Sequence, residues 1–305
     1  MSDLLLYFAD EAQPARRLAE ATELAAAEID SHRFPDQELR LTLPLAEGQT
    51  LPHSLVLYRS LDRPNEKLVE LLLIARHARR LGIRHLVLVA PYLGYMRQDI
   101  AFNPGEIVSQ TIVGGFLAEL FDAVITVDPH LHRISHLREA IPIEQAIALS
   151  GAPRLADLIG QQRRDPLLIG PDAESQQWVE SAAAALGCDF AVCTKVRSGD
   201  TRVSISLPDI DVQGRAVVLM DDVASSGRTL AGAAEQLLRA GAASVDVAVT
   251  HALFADDALA VIRAAGVDQV WSTDCIAHAS NAIAMAPLLA VELRRILLQN
   301  KPSKG

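Results

Sequence analysis

The stretch "VVLMDDVASSGRTL", Val217 to Leu230, decides the fold. Four apolar residues run into two carboxylates and then into a turn of small residues ahead of an amphipathic segment. A buried strand that ends in acids and hands over to a helix is one unit of an open α/β sheet, in which ligands sit beyond the carboxyl ends of the strands. Asp221 and Asp222 are placed to accept hydrogen bonds from vicinal hydroxyls or to help hold a cation. Ser225, Ser226, Gly227, Arg228 and Thr229 lead into a helix starting near Thr229. Backbone N–H groups at such a start bind phosphate, and small side chains let it approach. An acidic strand end before an ordinary Ser/Thr-capped helix is the alternative for this stretch taken alone.

Working outward, β-rich apolar runs recur at 4–9, 54–60, 85–92, 123–129, 166–172, 189–196, 215–222, 244–254 and 268–274. Amphipathic segments at 65–81, 106–121, 173–186 and 229–240 separate them. Alternation of this kind predicts mainly parallel sheets flanked by helices. The run "TRVSISLPD" (201–209) alternates polar and apolar residues, as a half-exposed hairpin strand does. The strand–helix series occurs twice, with a break near 146–155, so two similar domains are expected, 1–146 and 147–305.

Composition narrows the class. Half of the 305 residues are apolar and only 4% aromatic, so the core is aliphatic. The net charge of -10, without a basic tail, argues against nucleic acid as a partner. Three cysteines, Cys188, Cys193 and Cys275, form neither a disulfide framework nor a zinc pattern, which points to a reduced compartment. The first residues carry neither a basic export signal nor a membrane-length apolar run. A cytoplasmic protein without membrane contact is expected.

The stretch at 217–230 resembles the phosphoribosyl-diphosphate loop of the phosphoribosyltransferase fold. With "HRFPDQELRL" (32–41), "PYLGYMRQD" (91–99), "TVDPH" (126–130) and "GPD" (170–172) in this order, the chain resembles the ribose-phosphate diphosphokinases. The resemblance implies two phosphoribosyltransferase-like domains, with a β-flap in the second. It implies an enzyme that moves the β,γ-diphosphoryl group of Mg-ATP to the 1-hydroxyl of ribose 5-phosphate, giving AMP.

By that resemblance, Phe34, Asp36, Glu38, Arg97 and Gln98 bind ATP. Stacking by the phenyl ring and phosphate pairing by the guanidinium suit that task. Asp221, Asp222 and residues 225–229 bind ribose 5-phosphate. Lys195 and Arg197 on the flap are catalytic, with Arg197 also on the sugar phosphate, because phosphoryl transfer needs cations aimed at developing charge. His130 and Asp172 match magnesium-associated positions, and Asp128 is a further candidate. His130 is expected to act through water or phosphate, since Mg2+ prefers oxygen. In the family the Phe-x-Asp-x-Glu loop reaches a neighbouring subunit's ATP, so a homo-oligomer is implied.

The sequence departs from the family pattern in four places. The loop "IAFNPGEIVSQ" (100–110) lacks the basic run common in bacterial members and is closer to the short loop of archaeal ones. Ser225 stands where many members have Asp, and Arg228 replaces a glycine. "AESQQ" follows Asp172 in place of a glycine pair. Three rivals remain: a phosphoribosyltransferase, a non-catalytic regulatory homologue, and a relative acting on another sugar phosphate.

Overall fold

The computed structural model describes residues 3–45, 50–198, 202–255 and 257–300; the side chains of 195–198 and 202–204 lie outside that description. The chain divides into two compact units, Met1–Leu149 with Met285–Gly305, and Ser150–Ala284. The boundary thus falls just after the expected 146/147. The C-terminal helix, expected with the second unit, belongs to the first.

Unit 1 runs β1 (Leu4–Tyr7), α1 (Ala12–Thr22), β2 (Ala25–Glu28), β3 (Asp30–Arg33), β4 (Leu39–Thr42), β5 (Ser54–Tyr58), α2 (Pro64–Leu81) and β6 (His85–Val89). It continues with α3 (Ser109–Leu120), β7 (Ala123–Val127), α4 (Leu137–Ala140) and β8 (Gln145–Leu149). Its sheet is parallel throughout, in the order β2-β1-β5-β6-β7-β8. The central strands β5, β6 and β7 are almost wholly apolar and buried, as strands covered on both faces must be. β3 and β4 form a separate antiparallel hairpin.

Unit 2 repeats the design. It holds α5 (Ala152–Gln162), β9 (Leu167–Gly170), α6 (Gln176–Leu186), β10 (Phe190–Val192), β11 (Thr194–Ser198), β12 (Arg202–Ser206) and β13 (Ala216–Ala224). Then come α7 (Arg228–Arg239), β14 (Ser244–Ala252), α8 (Ala258–Ala264), β15 (Val270–Thr273) and β16 (Asn281–Ile283), before α9 (Ala286–Gln299) returns the chain to unit 1. The parallel sheet has the order β10-β9-β13-β14-β15-β16. β11 and β12 pair antiparallel as the expected flap.

Two readings of the sequence are corrected here. The run 189–196 is not one strand. Cys193 is buried in the unit 2 core, its N–H donating to the Gly170 carbonyl at 2.8 Å, and the chain leaves the sheet after it to begin the flap. The supposed break at 146–155 contains the end of β8, a half-exposed edge strand. Ala-rich β2 also escaped the reading, because alanine is a weak strand former and β2 exists through its pairing with β1. Among the described residues no helix is long and apolar enough to cross a membrane.

Candidate active site

In unit 2, β9 and β13 are neighbours, so their carboxyl ends deliver Asp172, Asp221 and Asp222 to one edge. Asp172 and Asp222 are buried. The Asp172 carboxylate accepts the Glu174 N–H at 3.0 Å and caps a short 3-10 turn. Asp221 accepts the Asp222 N–H at 3.0 Å. Burial, then the charges of Asp222 and Asp172, raise the Asp221 carboxyl well above the usual range. The same Asp172 charge, added to burial, pushes the Cys193 thiol up to about 11. Carboxylates held against one another in this way are a hard-oxygen donor set that a divalent cation or sugar hydroxyls would relieve. The sequence had assigned Asp172 and the Asp221–Asp222 pair to separate tasks; the fold makes them one electrostatic group.

The turn after β13 opens α7 at Arg228, one residue earlier than expected. Gly227 is the N-cap and has φ +69. A Cβ there would lie 2.9 Å from Ile262 Cδ1 and 3.0 Å from the Ala258 carbonyl oxygen. The left-handed backbone and the packing on α8 therefore demand a glycine here. Ser226 and Arg228 are exposed, Ser225 and Thr229 half-buried. The turn is tied down from the β14 side, where Phe254 N–H donates to the Ala224 carbonyl at 2.9 Å and Ala255 N–H to the Ser225 carbonyl at 3.0 Å. Lys195 and Arg197 both lie on β11, paired with Ile205 and Val203 of β12. Their side chains fall outside the described part.

In unit 1, Phe34, Asp36 and Glu38 occupy the tip of the β3–β4 hairpin, and all three are exposed. Phe34 N–H donates to the Glu38 carbonyl at 2.9 Å, and the Asp36 carboxylate accepts the Glu38 N–H at 3.2 Å. The tip is thus internally bonded and leaves the phenyl ring 40% exposed. Arg97 and Gln98 sit in the loop after β6. Gly94, earlier in that loop, has no room for a side chain: a Cβ would lie 2.8 Å from the Leu61 carbonyl. Hairpin and loop are anchored on adjacent residues of the first turn of α2, Arg33 to Glu66 at 2.6 Å and the Tyr95 hydroxyl to Asn65.

Asp128 and His130 follow β7. Asp128 is buried with a left-handed φ of 37, its N–H donating to the Leu149 carbonyl at 2.8 Å. Its backbone role is to bond the neighbouring strand end. The His130 ring meets His132 edge-on, centroids 4.0 Å apart. The loop 100–108 folds on itself, with Glu106 accepting the Phe102 N–H at 2.7 Å.

Two unit 1 features escaped the sequence reading. The Nη1 of Arg133 donates to both oxygens of Asp99, at 2.8 and 3.0 Å, and the guanidinium lies 5.9 Å from the Phe102 ring centre. It links the "RQD" loop to the loop of His130. The second feature is a buried ion network around Arg59. Neither could be found from spacing, because Asp99 lies 34 residues from Arg133 in the first case and the partners lie on separate elements in the second.

Comparison with known proteins agrees with this geometry. Residues 5–120 match the N-terminal domain of ribose phosphate pyrophosphokinase, and residues 140–264 match the phosphoribosyl transferase domain. The chain is 32% identical over 279 residues to a ribose-phosphate pyrophosphokinase from Methanopyrus kandleri, covering 90% of this chain and 93% of that one. The chain belongs to the ribose-phosphate pyrophosphokinase family. It is also 34% identical over 277 residues to ribose-phosphate pyrophosphokinase 2 of Archaeoglobus fulgidus, covering 90% of this chain and 94% of that one. The phosphoribosylpyrophosphate synthetase of Mycobacterium smegmatis superposes with a TM-score of 0.82 over 99% of this chain and 100% of the other. At 22% identity that likeness speaks to the fold alone. As a ribose-phosphate pyrophosphokinase the chain is an enzyme of phosphoribosyl-diphosphate synthesis. Its two units are phosphoribosyltransferase-type folds, as the resemblance implied.

Proposed function

We propose that the enzyme transfers the β,γ-diphosphoryl group of Mg-ATP to the 1-hydroxyl of ribose 5-phosphate, releasing AMP. The observation that carries this reading is the single edge in unit 2 where Asp172, Asp221 and Asp222 stand beside the turn that opens α7. Asp221 and Asp222 orient the ribose hydroxyls, which donate to their oxygens. Residues 225–229 hold the 5-phosphate through N–H groups at the helix start and through the Ser225, Ser226 and Thr229 hydroxyls. Arg228, exposed on the first turn, adds a guanidinium at the rim.

Phe34 stacks on adenine, Asp36 and Glu38 accept from the nucleoside, and Arg97 with Gln98 binds the phosphates. The outward position of the hairpin tip favours its reaching another copy's nucleotide, so the working form is a homo-oligomer. Lys195 and Arg197 ride on the flap and stabilise charge on the oxygens of the transferring group. Magnesium, when bound, would neutralise phosphate charge; the hard oxygens of Asp172 and Asp128 fit it, and His130 would act through metal-bound water or phosphate.

The test is which phosphorus of ATP is attacked. Incubation with Mg-ATP and ribose 5-phosphate, followed by phosphorus NMR, should show AMP rising in step with a diphosphate on the sugar C1. Chelation of magnesium should stop it. ADP as the main product would sink the proposal. Turnover only with another sugar phosphate would move the error to the acceptor pocket around Ser225 and Arg228.

A further inference from the structure

The two sheets share one strand order, with β1 and β5 of unit 1 in the places of β9 and β13 of unit 2. Where the last residues of β13 include Asp221 and Asp222, β5 is followed by Arg59. Where Asp172 follows β9, Asp10 and Glu11 follow β1. The centre of the unit 1 edge therefore carries a cation in place of the paired carboxylates.

Arg59 is only 4% exposed. Its Nε donates to Glu70 at 2.7 Å, and its Nη1 donates to Asp10 at 2.7 Å and Glu11 at 3.1 Å. The guanidinium lies 4.1 Å from the Phe8 ring centre. Burial works against its charge, but Glu11, Glu70 and Asp10 outweigh that and raise its pKa. Lys67, equally buried, donates to the Ser60 carbonyl at 2.8 Å and pairs with Glu11 at 3.4 Å. Among the described residues the Nη2 of Arg59 has no acceptor.

Arg59 lines a cavity of about 410 Å³ enclosed by the end of β1, the first turns of α2 and β3. That volume falls in the range of small-ligand pockets. The Nε and Nη1 donors of Arg59 are held by carboxylates, so the guanidinium is fixed in place and its Nη2 edge is the part free to meet a ligand oxygen from the cavity. The charges of the wall say which kind. Five carboxylates and four cations line the cavity, a formal excess of one negative charge. A phosphate dianion would meet that excess together with the Asp10 and Glu70 oxygens already on Arg59. A ligand with one negative and one positive group would not.

We propose that this cavity binds a small zwitterion of the amino-acid class. Its carboxylate lies on the Nη2 edge of Arg59, and its ammonium lies among Asp10, Glu28 and Asp30. Occupancy is read out through β3, which forms one wall and carries the hairpin of Phe34, Asp36 and Glu38. The read-out rests on the ATP assignment of that hairpin; the binding does not.

Calorimetry on the full-length protein, with ribose 5-phosphate saturating, tests each common amino acid singly, alongside inorganic phosphate and glycerol 3-phosphate. At least one amino acid should bind with a Kd of about 1 mM or tighter, and neither phosphate compound should displace it. Arg59→Lys keeps the charge but loses the planar fork, and should weaken binding about tenfold or more. Asp30→Asn and Arg63→Gln alter exposed side chains, so they carry the test should Arg59→Lys not fold; each should weaken binding about threefold or more. The proposal fails if no amino acid binds at about 10 mM, if binding survives these variants, or if phosphate displaces the ligand. It also fails if binding appears only after the oligomer is dissociated, since a second copy then fills the cavity. A bound amino acid that leaves the KM for ATP unchanged would overturn the read-out through β3 and keep the site.

Discussion

Asp221 shares its surroundings with two more carboxylates, and its raised pKa records the cost of holding them together. Asp221→Asn keeps the acceptor for the Asp222 N–H and removes one charge from the group. Stability should rise by about 1 kcal/mol, a Tm shift of roughly 3 °C by calorimetry. Turnover should fall about 10- to 100-fold, because hydrogen bonds to a charged acceptor are worth about 1.5–3 kcal/mol. Cys193 gives a prediction with a definite pH window. Its folded pKa of about 11 lies above the unfolded 9.0, so the native state holds its proton after the unfolded chain has lost it. Its contribution is fully present below pH 9 and is lost as pH rises from 9 through 11. Denaturant midpoints should fall across that window, and a Cys193→Ala variant should show a shallower fall.

Between the "RQD" loop and the loop of His130, the link is one side chain. Asp99 is almost fully buried while Arg133 is half exposed, so the pair is only partly screened by solvent. Arg133→Ala should leave the sheet intact but free residues 100–108. Since Arg97 and Gln98 belong to the same loop, the KM for ATP should rise about threefold to tenfold, with kcat changing less. Faster limited proteolysis near Phe102, which is 70% exposed, would accompany it. A fall in kcat with unchanged KM would place Arg133 elsewhere in the mechanism. The Arg133–Asp99 pair and the Phe102 ring beside the guanidinium tie this loop to the loop of His130.

For the whole chain, the return of α9 to unit 1 means that neither unit is a simple half of the sequence. α9 buries Leu289, Leu293, Ile296 and Leu297, and the Asn300 carbonyl at its end accepts from the His53 ring at 2.6 Å. Four such side chains are worth about 1.5–3 kcal/mol each, which together approaches the whole stability of a domain. A chain ending at residue 284 should therefore lose cooperative unfolding of unit 1 in circular dichroism. The unit 2 transition should survive it. Loss of both transitions together would show that the units unfold as one.

Local signals in the sequence determined the parallel α/β class, the central strands, the flap and the carboxylate-rich edge. Each of these rests on contiguous residues: apolar runs such as 85–89 and 217–220, the alternation at 202–206, and an acid pair leading into a small-residue turn. The order of five motifs carried the family. Tertiary structure alone decided the rest. β2 and β8 have little strand character of their own and exist because a neighbouring strand completes their hydrogen bonds. The grouping of Asp172 with Asp221, the Arg133–Asp99 ion pair and the Arg59 network join residues far apart in the chain, so no spacing rule reveals them. Ownership of α9 was likewise hidden, since an amphipathic helix states that it has a face to bury but not which sheet will cover it.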